Sequence, residues 1–138
     1  AESAYEMLHH LLSSDICYNS LATDHDTDRC RSVYCTDTGI GIVGVINEML
    51  VYSNTGEIEL LPALPKQWTK GSIRGLRARI NAEITLLEWD LETGYAMAEI
   101  RSDQNQSIRI SCRNSWSKDQ IVELKKGEEI SLKFKIRI

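Results

Sequence analysis

The chain contains only two prolines, Pro62 and Pro65, and they constrain it more than any other feature. Proline lacks a backbone N–H and disfavours helical geometry in the residue before it, so no helix runs through this point. The prolines follow a short amphipathic strand, Glu57–Leu61, and precede Trp68 and a basic run, Arg74-Gly75-Leu76-Arg77-Ala78-Arg79. Before this stretch apolar residues recur with a helical period; after it they alternate. Thr55–Arg79 therefore reads as a seam between a helical and a stranded architecture.

Upstream, Ser3 with Glu6 fits a capping box opening a first helix. Ala4, Met7, Leu8, Leu11 and Leu12 form its apolar stripe, with His9 and His10 largely on the other face, and the helix is expected to end near Ser13-Ser14-Asp15. Residues 15 to 36 read as a polar loop. Counted from Asp24, the sixth residue is Arg29 and the twelfth is Cys35, so the EF-hand calcium pattern fails. A second helix is predicted from Thr38 or Gly39 to Tyr52, capped by Asp37 or Thr38. Its broad apolar face is Ile42, Val45, Ile46, Met49 and Leu50. Gly39-Ile40-Gly41-Ile42-Val43-Gly44 spells GxGxxG, but a dinucleotide fingerprint needs a buried strand before it and a βαβ unit after it. Neither is expected here.

Downstream, strands are predicted at Asn81–Trp89, Tyr95–Ser102, Ile108–Arg113, Gln120–Leu124 and Ile130–Ile138, with turns between them. Short alternating strands at this spacing imply an antiparallel β-sandwich. The fold class is thus α+β, divided as helices 1–54, a Pro/Arg-rich joint 55–79 and a β domain 80–138. At 138 residues this fits one domain, or a small domain plus a piece of another.

A net charge of −4 supplies no field that recruits nucleic acid or an anionic membrane, and neither is an expected partner. No apolar run reaches the roughly 18 residues of a spanning helix. The N-terminus lacks the basic start and continuous apolar stretch of a secretory leader. Ala1 to Leu8 reads as the start or middle of a helix, so the chain is expected to be a piece of something larger. Cysteines at 17, 30, 35 and 112 contain no CxxC pair, and with His9, His10 and His25 they fit no common zinc template. No metal or cofactor is expected. Cys30 and Cys35 are placed to bridge a loop, and free thiols fit equally.

The wording of the seam is specific. Gly56-Glu57-Ile58-Glu59-Leu60-Leu61-Pro62-Ala63-Leu64-Pro65-Lys66, then Trp68, Gly71-Ser72 and Arg74 to Arg79, resembles the C-terminal part of glycoside hydrolase family 95. The resemblance extends upstream through Asp37, Ile46 and Glu48-Met49-Leu50 to Ala4-Tyr5-Glu6-Met7-Leu8, and downstream to Glu88-Trp89. It implies an (α/α)6 helical barrel that carries the active site, followed by a β domain. Residues before the seam would be the last barrel helices. It also implies inverting hydrolysis of terminal α-L-fucosyl, or α-L-galactosyl, linkages.

Residue by residue, Asp37 matches the family's active-site aspartate and is the candidate catalytic residue, on the base side of an inverting site. The structural alternative is a helix N-cap. Gly39 and Ile40 depart from the family's Asn and Phe, and Arg31-Ser32-Val33-Tyr34 stands where a His-Pro-Pro-Phe run is expected. The family's general-acid glutamate and asparagine pair lie upstream of this chain, so by itself it is expected to be inactive. Trp68 is the candidate substrate-binding residue, stacking on a sugar face, with packing between domains as the competing role. Arg74, Arg77 and Arg79 read as ion-pair partners across the seam. The implied partners are an oligosaccharide substrate in the full-length parent and the N-terminal part of the same polypeptide. The alternative function is a non-catalytic β-sandwich module that binds carbohydrate or supports another subunit.

Overall fold

A computed structural model describes residues 1–14 and 36–137. These form two helices and two sheets, an α+β arrangement made mostly of strands. Helix α1 spans Glu2–Ser14 and α2 spans Thr36–Leu50; nine strands follow among the described residues. They are β1 Val51–Asn54, β2 Glu57–Leu60, β3 Lys70–Ile73, β4 Leu76–Ala78, β5 Ala82–Asp90, β6 Tyr95–Ser102, β7 Gln106–Cys112, β8 Gln120–Leu124 and β9 Glu129–Lys135. Residues 15–35, nearly all of the predicted polar loop and with it Cys30 and Cys35, lie outside the described residues.

Helix α1 starts before Ser3. The Tyr5 N–H donates to the Ala1 carbonyl at 3.0 Å, which puts Ala1 rather than Ser3 in the capping position. Glu2 in the first turn accepts the Lys66 N–H at 3.1 Å, a bond that pins the helix to the seam. That bond is the main reason its carboxyl sits below the ordinary value. Of the apolar stripe only Leu8 is buried; Met7 is 67% exposed and Leu12 45%. His9 and His10 are exposed, as their face of the helix predicts.

Helix α2 begins at Thr36 and contains all three glycines of the GxGxxG string, so no phosphate-binding loop forms. It also ends two residues early. The helix predicted to Tyr52 stops at Leu50, and Val51–Asn54 turns into a strand paired with β2. Val51 and Tyr52 suit a pleated surface, and Thr55-Gly56 closes a two-residue turn in which Gly56 has φ +76. The carbonyls of Met49 and Leu50, orphaned by the end of the helix, accept the N–H groups of Ala63 at 3.1 Å and Leu61 at 2.7 Å.

One sheet has the order β1-β2-β7-β8; the other has β3-β5-β6-β9, with β4 also on β5. The seam thus contributes strands to both. The expectation of wholly antiparallel pairing needs a correction, because β2 and β7 run parallel. Between these two strands the chain lays down β3 to β6 in the other sheet, a crossover long enough to re-enter in the same direction. β3 and β4 pair with the same strand, β5, and are separated by a break at Arg74-Gly75, where Gly75 has φ +74 and donates its N–H to the Ile84 carbonyl.

Both sheets feed one core. Ile58, Leu60, Ile108, Ile110 and Leu124 come from the first, and Ile84, Leu87, Trp89, Ile100 and Phe134 from the second. Each such side chain contributes roughly 1.5–3 kcal/mol by leaving water. In β5 the alternation breaks at Leu86-Leu87, where the register with β6 shifts between Ile84 and Leu86. This bulge resets the phase, so that Ala82 and Ile84 before it and Leu87 and Trp89 after it all point inward. No buried side-chain nitrogen or oxygen among the described residues lacks a partner. Ser102, fully buried, donates to the Gln104 carbonyl and accepts from Gln106 Nε2.

Gly71 in β3 lies opposite Trp89, and a Cβ at this position would overlap the indole ring. Gly71→Ala is therefore expected to destabilise the chain by about 1–3 kcal/mol, read from the urea midpoint. An unchanged midpoint would show that the ring yields freely. On the surface, the side-chain hydrogen bond from Arg77 holds the Asp103 carboxyl below its ordinary 3.8. A carboxyl lowered in the folded state adds stability that is complete above the unfolded value and fades as pH falls through the folded one. In Arg77→Ala the Asp103 carbon resonance should titrate closer to the ordinary value; titration as in the unmutated chain would refute the pairing.

Candidate functional site

The two sequence-derived candidates sit on different elements. Asp37 is the second residue of α2, exposed in its first turn. A carboxylate is favoured there by the unpaired N–H groups and the positive end of the helix dipole. Its side chain is open to solvent.

Trp68 follows the seam prolines, in the turn leading to β3. Its N–H donates to the Pro65 carbonyl at 3.0 Å, and its carbonyl accepts the indole N–H of Trp89 at 2.9 Å. The ring is half-buried against the core and meets Tyr5 of α1 edge-on, with centroids 6.5 Å apart. Trp68 thus contacts both the helix and the core of the sheets. Of the seam arginines, Arg79 reaches Glu48 of α2 at 2.6 Å and Arg77 pairs with Asp103 and Glu83. Arg74 is exposed.

A different group of residues, none of them among the sequence-derived candidates, lines a cavity of about 480 Å³ on the first sheet. Register explains it. Tyr52 lies beside Glu59 and Glu59 beside Ser111; two residues along, Asn54 lies beside Glu57 and Glu57 beside Arg109. The intervening row, Ser53, Ile58 and Ile110, is buried, so these two rows share the outer face. Arg109 pairs with Glu57 at 2.5 Å and Arg113 with Glu59 at 3.5 Å. The only sequence signal was the alternation of Glu57-Ile58-Glu59-Leu60 and Ile108-Arg109-Ile110, with opposite charges on the outward positions. Pairing the two segments required the parallel crossover.

Cys112 closes the inner side of the cavity. Burial, with a smaller push from Glu59, raises its thiol to about 12, so it stays protonated and is a poor nucleophile. Among the described residues no cluster of three or more His, Cys, Asp or Glu is arranged to hold a metal ion. A second cavity of about 400 Å³ lies beside the start of α1, with Leu61, Leu64, Leu91 and Ile136 on its apolar side.

The family model described as "Glycoside hydrolase family 95, C-terminal domain" matches residues 52–137. Alpha-L-fucosidase 2 from Arabidopsis thaliana is 30% identical over 124 residues, an alignment covering 82% of this chain and 14% of the relative. The chain therefore spans about 14% of the length of the curated relative it matches. The matched segment begins within β1 and runs through β9, so it takes in both sheets and the whole seam. With most of its length accounted for in this way, the chain belongs to glycoside hydrolase family 95 and carries that family's C-terminal domain.

Proposed function

We propose that this chain is the C-terminal part of a glycoside hydrolase whose full-length polypeptide hydrolyses terminal α-L-fucosyl, or α-L-galactosyl, linkages. On this reading residues 1–54 belong to a helical-barrel catalytic domain, residues 55–79 are the joint, and residues 80–138 complete a β-sandwich. The chain alone is inactive, since an inverting site needs an acid and a base on opposite faces of the sugar.

The observation that carries this reading is the outward-facing apolar surface of the two helices. Met7 is 67% exposed, Ile40 72% and Val43 56%. Gly41 and Gly44 add two positions where a methyl would meet nothing within 4 Å. Glycine within a helix costs on the order of 1 kcal/mol relative to alanine, a cost that makes sense where another backbone approaches closely. The upstream part of the same polypeptide is the natural cover. The name of the Arabidopsis relative, and the small share of it that aligns, support the substrate class and the missing portion. Asp37, at the solvent-facing start of α2, then acts on the base side of the completed site. Trp68 is proposed to act in substrate binding only through the joint it stiffens, because its ring is already engaged by Tyr5.

Activity decides the first part. A polypeptide extended upstream by the missing barrel should release the aryl group from an aryl α-L-fucoside, and these 138 residues should not. In the extended protein Asp37→Asn should lower kcat by about 10²-fold or more, the usual scale for a base. Turnover by the short chain would sink the proposal.

Helix packing decides the second part. Gly44→Ala should stabilise the short chain by about 1 kcal/mol and destabilise the extended one by about 1–3 kcal/mol. Equal stabilisation in both would show that nothing packs on this face.

A further inference from the structure

We propose that the outer face of the β1-β2-β7-β8 sheet is a binding site for a neutral, fucosylated oligosaccharide. The inference rests on the substrate class just proposed and adds a place where this chain itself holds the sugar.

The cavity there measures about 480 Å³, within the range of small-ligand clefts. Its charge is nearly balanced: three carboxylates, Glu57, Glu59 and Asp119, face two guanidinium groups, Arg109 and Arg113. A phosphate or sulfate would meet the carboxylates, and a cation would meet the arginines. A neutral polyol suits both, because each hydroxyl donates to a carboxylate and accepts from a guanidinium. Planar carboxylate–guanidinium pairs present such donors and acceptors in fixed geometry. The pairs Arg109–Glu57 and Arg113–Glu59 link neighbouring strand and turn positions, and all four side chains keep solvent access, at 57%, 37%, 63% and 33%.

The site also has an apolar surface for the sugar's C–H face. Tyr52 projects from β1 beside Glu59 and is 37% exposed. An aromatic with a polar tip supplies contact area at little conformational cost. Trp116 is more exposed, but one face of its ring is covered by the Arg137 guanidinium at 4.1 Å. The far wall is the turn after β7, in which Asn114 has φ +58 and its carbonyl accepts the Arg137 N–H at 2.7 Å. That turn is thereby tied to the chain beyond β9, so the wall is fixed before any ligand arrives.

Calorimetric titration of this chain with fucosyllactose, a neutral trisaccharide, and with anionic sialyllactose tests the proposal. Fucosyllactose is expected to bind in the millimolar range or tighter, and sialyllactose more weakly. Tyr52→Ala and, separately, the double variant Glu57→Gln with Arg109→Gln should each weaken binding about tenfold. The double variant removes both members of the ion pair together, and far-ultraviolet circular dichroism should confirm that each variant is folded. Amide chemical-shift changes on fucosyllactose addition should cluster on β1, β2 and β7. No heat at about 10 mM fucosyllactose, preference for sialyllactose, or binding indifferent to both variants would each overturn it. Absence of binding here, with aryl fucoside turnover intact in the extended protein, would remove this site alone. Absence of that turnover with binding retained would instead remove the catalytic reading.

Discussion

The hydrogen bonds from Leu61 and Ala63 back to Leu50 and Met49 connect the two kinds of structure in this molecule. A helix ends with carbonyls that have no partner, and burying such an end is unfavourable unless donors are supplied. Here the donors come from residues immediately beyond β2, so the β1–β2 hairpin is folded against the helix that precedes it. Leu61 adopts φ +53 to reach this position, a left-handed geometry that costs roughly 1–2 kcal/mol for a residue with a Cβ. Its near-complete burial offsets that strain. Pro62 and Pro65 then carry the chain toward the opposite sheet without competing for the same acceptors.

Charge is arranged around this joint rather than within it. Arg79 ties the end of the seam to Glu48 of α2, and its backbone N–H donates to Ser53 of β1, so one residue spans helix, hairpin and seam. Lys70 with Asp90 and Arg101 with Glu83 lie along the outer face of the second sheet. Exposed pairs of this kind contribute little stability each. Their greater effect is on register, since a slip of one residue would set like charges or buried methyls in their places.

Legibility followed the clarity of the local period. β6 and β8 have the observed limits that their sequences imply, Tyr95–Ser102 and Gln120–Leu124, because turn residues flank both segments. β1 was not legible. Val51 and Tyr52 extend the apolar face of α2 without a break, and only pairing with β2 makes them a strand. That a helix starts near Asp37 was readable from capping chemistry, but α2 begins at Thr36, so Asp37 lies within the first turn and is not the cap. The Tyr52, Glu57 and Arg109 face was not readable, because those residues are distant in sequence and become neighbours through a parallel pairing that no local pattern encodes.

By itself the sequence determined that a helical period gives way to an alternating one at the seam, where β6 and β8 begin and end, and the family that the seam resembles. These are local properties, set by side-chain spacing and by the conformational limits of proline and glycine. Tertiary structure decided which strands became neighbours, which arginine met which carboxylate, and which helical surfaces stayed uncovered. The physical reason is that a strand's edge is nearly generic in its hydrogen bonding, whereas the core accepts only the partner whose apolar row meets the opposite sheet. In this chain that selection set β2 beside β7, and with it the composition of the outer face.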